Sequence, residues 1–283
     1  SIAAYNYFNN GGNTLLVSRV VSGSGDWAYA TASITDSASD ASSFTLEAID
    51  KGEIWNNTGS MVSGSLVSGS ADNVRWQIVG RNESSGTFSL VIRRGNDTTN
   101  NPVVLEQFNN LSLDPNQPNF ISAVIGDTKF NYNSIENYLE VSGSYTNGSR
   151  YVRVKSVNQP TPNYLNNAGN AQPQFTGSIP ALGSGSIGGA FQAGVGSLIS
   201  NVGTGGGNYY EKAGTGTFAL TQGLQGTDYT NMLNLLSNQD DYKFNALLTP
   251  GLIDKVHASQ TTTAINNTQG RGDSIYILDP VLY

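Results

Sequence analysis

Three stretches in the first third of the chain alternate with a period of two. Phe44, Leu46 and Ala48 interleave with Thr45, Glu47 and Ile49. Val74, Trp76 and Ile78 interleave with Arg75, Gln77 and Val79. Phe88, Leu90 and Ile92 interleave with Ser89, Val91 and Arg93. A strand sends successive side chains to opposite faces, so each stretch predicts one buried face and one turned to solvent or a second layer. GRNESSG (80–86) predicts a long hairpin loop between the last two strands. Short strands at this spacing predict a small barrel or sandwich. No helical stripe is legible before about residue 103.

Composition shifts near Asn100-Asn101-Pro102. The segment 105–126 predicts two short helices around a Pro-rich turn, with Ile121, Val124 and Ile125 at helical spacing. Strands are expected at 137–145 and 150–157. Residues 158–215 are rich in Gly, Asn, Ser, Ala and Pro and predict an ordered surface excursion, with fragments of structure at 187–202. Asp228 reads as an N-cap for a helix carrying Tyr229, Met232, Leu233 and Leu236 on one face. A strand at 243–248, a weaker helix at 251–264 and a buried strand at 274–278 read as a parallel crossover. The fold class is therefore α+β, mostly β. A protruding β-barrel-like or sandwich domain (16–106) is inserted into a mixed α/β domain (1–15 with 107–283).

Bulk chemistry removes several classes. The net charge is −7 and no Lys/Arg cluster exceeds Arg93-Arg94, which argues against nucleic acid as a partner. A basic amphipathic helix for a membrane surface is missing for the same reason. No apolar run approaches the ~20 residues that span a bilayer. The chain has no cysteine, so disulfides, zinc–thiolate sites and a Cys nucleophile are excluded. Charged residues are only 12% of the chain, about half the usual share.

Candidate chemical motifs are weak. Gly183-Ser184-Gly185-Ser186-Ile187-Gly188 fits G-x-G-x-x-G, but Pro180 and a Gly-rich run precede it where a strand should. His257 is the only histidine and reads as a cap or decoration of the helix after Gly251. Adjacent Asp240 and Asp241 read as turn residues, not as a glycosidase pair. Asp36 and Asp40 lack the Glu that closes a calcium loop. Arg271-Gly272-Asp273 matches an adhesion tripeptide and reads as a structural turn. The N-x-[ST] triplets headed by Asn56, Asn82, Asn96, Asn110, Asn147 and Asn266 read as chance in so Asn-rich a chain. Trp27, Trp55 and Trp76 could form a sugar-stacking platform, but two fall in strand patterns and read as core. No catalytic, cofactor-binding or metal-binding residue is assigned, and no cofactor is expected.

The opening stretch YNYFNNGGNTLLVSRV (5–20) sets Tyr5, Tyr7 and Phe8 before Asn9-Asn10-Gly11-Gly12, then a β-branched run through Val17, Arg19 and Val20. Asn and Gly tolerate positive φ, so a sharp turn opening a strand is expected. In this order the stretch resembles the opening of tail sheath proteins of contractile phages. FTLEAIDKGEIWNN (44–57) is similar to a second segment of that family, with Gly52, Trp55 and Asn57 matched and Lys51 in place of a Pro. LEQFNNLSLDPNQPNF (105–120) resembles a third. FALTQGLQGTDY (218–229) resembles a weakened fourth, which keeps Gly223 and Gly226. NALLTPG, with Pro250 and Gly251, and DSIYILDP, with Asp279, resemble the two strands closing the family's central domain.

The large, Gly/Asn-rich character resembles sheaths of T4-type phages. The resemblance implies a virion structural protein: sixfold rings of identical subunits stack helically around a tail tube, between baseplate and tail terminator. Contraction drives the tube through the host envelope for genome ejection. It implies no enzyme activity, assembly in the host cytoplasm, and an internal fragment lacking an N-terminal arm and the C-terminal domain. Such a fragment is expected to be monomeric. The competing expectation from composition is a host-glycan-binding β module of tail-fibre or adhesin type, with a secreted polysaccharide hydrolase behind it.

Overall fold

In the computed structural model, residues 2–20, 29–38, 41–50, 61–67, 69–188, 226–250 and 252–278 are described. The fold is α+β and mostly β, built from several antiparallel sheets that remain open; no closed barrel forms among the described residues. Two compact units emerge: residues 25–131 with 140–192, and residues 1–24, 132–139 and 193–283.

The first unit rests on two sheets. One joins β1 (Thr31–Thr35), β2 (Ser42–Ala48) and β10 (Val152–Val157) in the order β1-β2-β10. The other joins β5 (Val74–Asn82), β6 (Thr87–Arg94), β7 (Val104–Ser112) and β11 (Gly183–Ser186) in the order β11-β5-β6-β7. Their inner faces share one core. Ile34, Phe44, Leu46, Val152 and Val154 come from the first sheet, and Val74, Ile78, Phe88, Leu90 and Ile92 from the second. The rings of Phe44 and Phe88 stack at 5.7 Å between sheets. Full burial of each such side chain contributes about 1.5–3 kcal/mol. This arrangement is a sandwich. It also corrects the expected boundary, because β10 pairs with β2 and β11 with β5. Segments beyond 106 are therefore integral to the β-rich unit, and 16–106 does not stand apart.

The three alternating stretches form β2, β5 and β6, as their periodicity predicts. The β5–β6 hairpin closes more tightly than 80–86, with Asn82 opposite Thr87. Residues 105–112 depart from expectation: they form strand β7, not a helix. Asn110 takes φ 56°, and the register slips between Phe108 and Leu111. That bulge inserts an extra residue, so apolar side chains three apart both reach the core. The sequence therefore shows helical spacing inside a strand. After it, α2 (Ile121–Ile125) buries Ile121 and Ile125 as read.

A two-stranded ribbon of β8 (Lys129–Asn133) and β9 (Tyr138–Ser142) occupies the place of a single expected strand. Short β3 (Met61–Val62) and β4 (Ser65–Leu66) form a hairpin, and α3 (Pro173–Thr176) is a single turn. Of the expected structure at 187–202, Ile187 and Gly188 are described and the rest lies outside the described residues.

The second unit contains α4 (Gly226–Leu236), β12 (Ala246–Leu248), α5 (Asp254–Arg271) and β13 (Ile275–Ile277). Leu233, Leu236, Leu247 and Ala264 make its core, with Met232, Tyr242, Phe244 and Tyr276 packed around them. β12 and β13 are parallel, as read, with Ala246 opposite Ile275. β13 is not buried through: Ile275 and Ile277 face outward and Tyr276 inward. Asp228 lies in the first turn of α4 and not at its cap, and α5 runs to Arg271 instead of ending near 264.

The same unit holds α1 (Ile2–Asn9), a helix where a turn into a strand was expected. The Gly12 N–H donates to the Tyr7 carbonyl at 3.0 Å and the Gly11 N–H to Phe8 at 3.2 Å, with Gly11 at φ 88°. This 6→1 and 5→2 pair is a Schellman cap. A hairpin and a helix C-cap demand the same positive-φ residues, so Asn10-Gly11-Gly12 fits both. Residues 13–20 carry no strand.

Candidate functional site

The residues that the resemblance singles out do not converge on one place. Tyr7 and Phe8 meet edge to face on α1, with ring centroids 5.3 Å apart, and both are exposed. The Tyr7 hydroxyl donates to the Thr14 carbonyl at 2.9 Å, and its ring occupies the space a Cβ on Gly12 would need. Arg19 is exposed. Gly226 begins α4, and Pro250 lies in the exposed turn after β12. Gly52, Trp55, Asn57, Gly223, Gly251 and Asp279 lie outside the described residues, as do Trp27 and Asp40.

The chemical motifs resolve into architecture. Gly183–Ser186 is strand β11, paired antiparallel to β5, so no phosphate-cradling turn exists there. His257 is buried, and its Nδ1 accepts the Ile253 N–H at 3.0 Å. The backbone breaks from helical geometry at His257 (φ −118°, ψ 36°). Its ring thus caps a kinked helix start. Asp240 and Asp241 are exposed; Asn238 ties them through a 3.0 Å bond from its Nδ2 to Asp241 and another from the Asp240 N–H to its Oδ1. Asp36 is buried and accepts Gln159 Nε2 at 2.7 Å. Trp76 is half-buried against the sandwich core. Among the described residues, no three His, Asp or Glu side chains gather in a way that could hold a metal ion.

Arg271-Gly272-Asp273 is a C-cap. Gly272 adopts φ 72° and donates to the Thr268 carbonyl. Arg271 is buried, donates to the Leu236 and Tyr242 carbonyls at 2.8 Å each, forks onto Asp273 at 2.9 Å and lies 4.2 Å from the Phe244 ring centre. The hydrogen bond from Arg271 holds the Asp273 carboxyl below its ordinary value of 3.8.

The most concentrated buried charge among the described residues lies where the periodicity allowed solvent. Arg75, Arg93 and Asp97 are all buried on the outer face of β5 and β6. Asp97 meets Arg93 Nε at 2.7 Å and Arg75 Nη1 at 3.1 Å. Arg93 also donates to Gln77 and to the Thr98 carbonyl, and Arg75 to the Gly64 carbonyl and Ser184. Asp97 accepts the Val103 N–H at 2.8 Å. The β3–β4 hairpin and the 95–103 turn thus form a second layer over the sheet. Burial and the neighbouring Arg93 lower the Arg75 pKa, against the pull of Asp97. On the other sheet, buried Glu47 pairs with Arg153 and Lys155. Burial, then Asp50 and Glu47, raise the Tyr29 phenol. These groups pair with one another, which is the behaviour of structural ion pairs, although Arg75 Nε and Arg153 Nε are buried without a hydrogen-bond partner.

Apolar side chains also stand exposed. In one unit Phe130, Val141 and Tyr145 are exposed on or beside the β8–β9 ribbon. In the other, exposed apolar groups include Tyr5, Leu15, Leu16 and Val17 (74% exposed), Ile135 (86%), and Leu248, Ile275 and Ile277 on one face of the β12–β13 pair. Parallel pairs are normally covered on both faces, and apolar surface in patches marks contact with other proteins. No described helix is long and apolar enough to cross a membrane. No family model matches the chain, and no curated protein matches it.

Proposed function

We propose that this chain is a structural subunit of a contractile phage tail sheath. The observation that carries the reading is the collinear series of sheath-like segments, from Tyr7-Phe8-Asn9-Asn10-Gly11-Gly12 through Gly52, Trp55 and Asn57 to Pro250 and the segment ending at Asp279. The exposed apolar groups support it, because they suit a part whose output is contact.

In this reading its partners are further copies of itself, the tail tube, the baseplate and the tail terminator. Copies join through heterologous contacts, which propagate as a helical lattice. The extended lattice persists because its barrier to rearrangement is high. On triggering, subunits move as rigid bodies into a shorter, wider lattice and drive the tube through the envelope. An antibody raised against this chain tests the reading on whole particles. Label distributed along the contractile part of the tail is the expected result. Label confined to fibre tips, or strong binding of the chain on a glycan array, would replace the sheath with the host-glycan module.

A further inference from the structure

The sequence contains two Asn-Gly dipeptides, Asn10-Gly11 and Asn147-Gly148, and the structure treats them oppositely. In an Asn-Gly pair the glycine has no side chain to hinder attack of its main-chain nitrogen on the asparagine amide carbon. Whether this happens in a folded protein depends on what holds the two groups apart.

At Asn147 the restraints belong to the packed β-rich unit. Its Nδ2 donates to the Thr128 carbonyl at 2.8 Å, and the Gly148 N–H donates to the Ile125 carbonyl at 2.8 Å. The Asn147 backbone presses on Gly126 closely enough that a Cβ there would strike it. Releasing Asn147 means prising the chain from α2 and from Thr128.

At Asn10 every described restraint is internal to α1. Its Nδ2 donates to the Asn6 carbonyl at 2.8 Å, and the Gly11 N–H reaches the Phe8 carbonyl at 3.2 Å, the long end of the hydrogen-bond range. Residues 5–11 are exposed throughout. A helix of eight residues is shorter than one that holds itself in water, so its last turn opens at little cost. When it opens, both restraints go together.

We propose that Asn10 is a site of spontaneous deamidation and that Asn147 is protected by the fold. The Gly11 nitrogen, after losing its proton to solvent base, bonds to Asn10 Cγ. The Cγ–Nδ2 bond breaks, and ammonia leaves with a proton from solvent. Water then opens the five-membered imide at either carbonyl, giving aspartate or isoaspartate. The net change is one water consumed and one ammonia released, with no redox step. Either product adds a carboxylate beside the negative end of the α1 dipole. Isoaspartate also lengthens the backbone at the cap, so the Gly12-to-Tyr7 bond cannot close. The isoaspartate product therefore uncaps α1 irreversibly and re-presents Tyr5, Tyr7 and Phe8. This inference stands independently of the sheath reading.

The test is timed incubation of the intact native chain at mildly alkaline pH, followed by peptide mapping and labelling with isoaspartyl methyltransferase. A parallel sample is held in guanidinium. In the native sample Asn10 should convert about tenfold or more faster than Asn147, the ratio that separate local opening equilibria produce. In guanidinium the two should converge. Asn10→Gln should remove the native label. Equal native rates at the two sites, or an Asn10 amide that survives as long as that of Asn147, would overturn the proposal.

Discussion

At the scale of single residues, the fold depends on charges placed where water cannot reach them. Asp97 bridges two buried guanidiniums, offsetting one of their two charges, and ties down the 95–103 turn. Removing one partner of a buried pair leaves uncompensated charge and typically costs 3–5 kcal/mol, whereas an exposed pair contributes about 0–1 kcal/mol. Asp97→Asn should therefore cost roughly 3–5 kcal/mol of stability in chemical denaturation. Glu83→Gln, which breaks the exposed Arg81–Glu83 pair, should stay within about 1 kcal/mol. Equal effects would show that the Arg75–Arg93–Asp97 cluster is not closed.

Asp273 supplies a pH dependence. Its folded pKa is depressed by Arg271, so the cap's contribution is complete above its ordinary 3.8 and is lost as pH falls through the lower folded value. Acid titration of thermal stability should show a carboxylate step below about pH 4 that Asp273→Asn removes. Persistence of the step in that variant would assign it elsewhere. The role of Arg271-Gly272-Asp273 as a turn was legible from its place before a strand. The buried Arg75 and Arg93 were not, because alternation says which side chains share a face and not what covers it.

At the scale of elements, helices and strands announced themselves only where packing is regular. The 226–236 helix was legible because Met232, Leu233 and Leu236 all pack into one core. Leu233→Ala should cost ~2–5 kcal/mol through the cavity it leaves. A change within error in chemical denaturation would remove this stripe from the core.

Strand β7 was hidden by its own bulge at Asn110, which converts period two into spacing three. Helix α1 was hidden because a Schellman cap and a hairpin turn share Asn and Gly. The β8 half of the ribbon was missed because its Phe130 and Tyr132 alternate with Asn and face no core, leaving no buried stripe to read.

At the scale of the molecule, strand pairing decided the division that sequence composition misplaced. The shift near Asn100 marks the end of a hairpin, not of a unit, since β10 and β11 return to β2 and β5. Long-range returns of this kind leave no local signature. The candidate site was legible only as a resemblance: of its residues, Gly11 and Gly12 cap α1 and Tyr7 packs on that cap, while the exposed apolar groups follow from the fold.

Net charge of −7 keeps separate copies apart at low salt. The 283-residue chain alone should sediment as a monomer at low salt, and long polymers formed under those conditions would contradict this.

The central claim is that this chain acts by assembling. Electron microscopy of the protein mixed with tail tubes tests that most directly. Rigid tubes of stacked rings with a hollow centre are the expected result. A protein that stays dispersed, or forms trimeric fibres, under conditions where tail tubes assemble would contradict it.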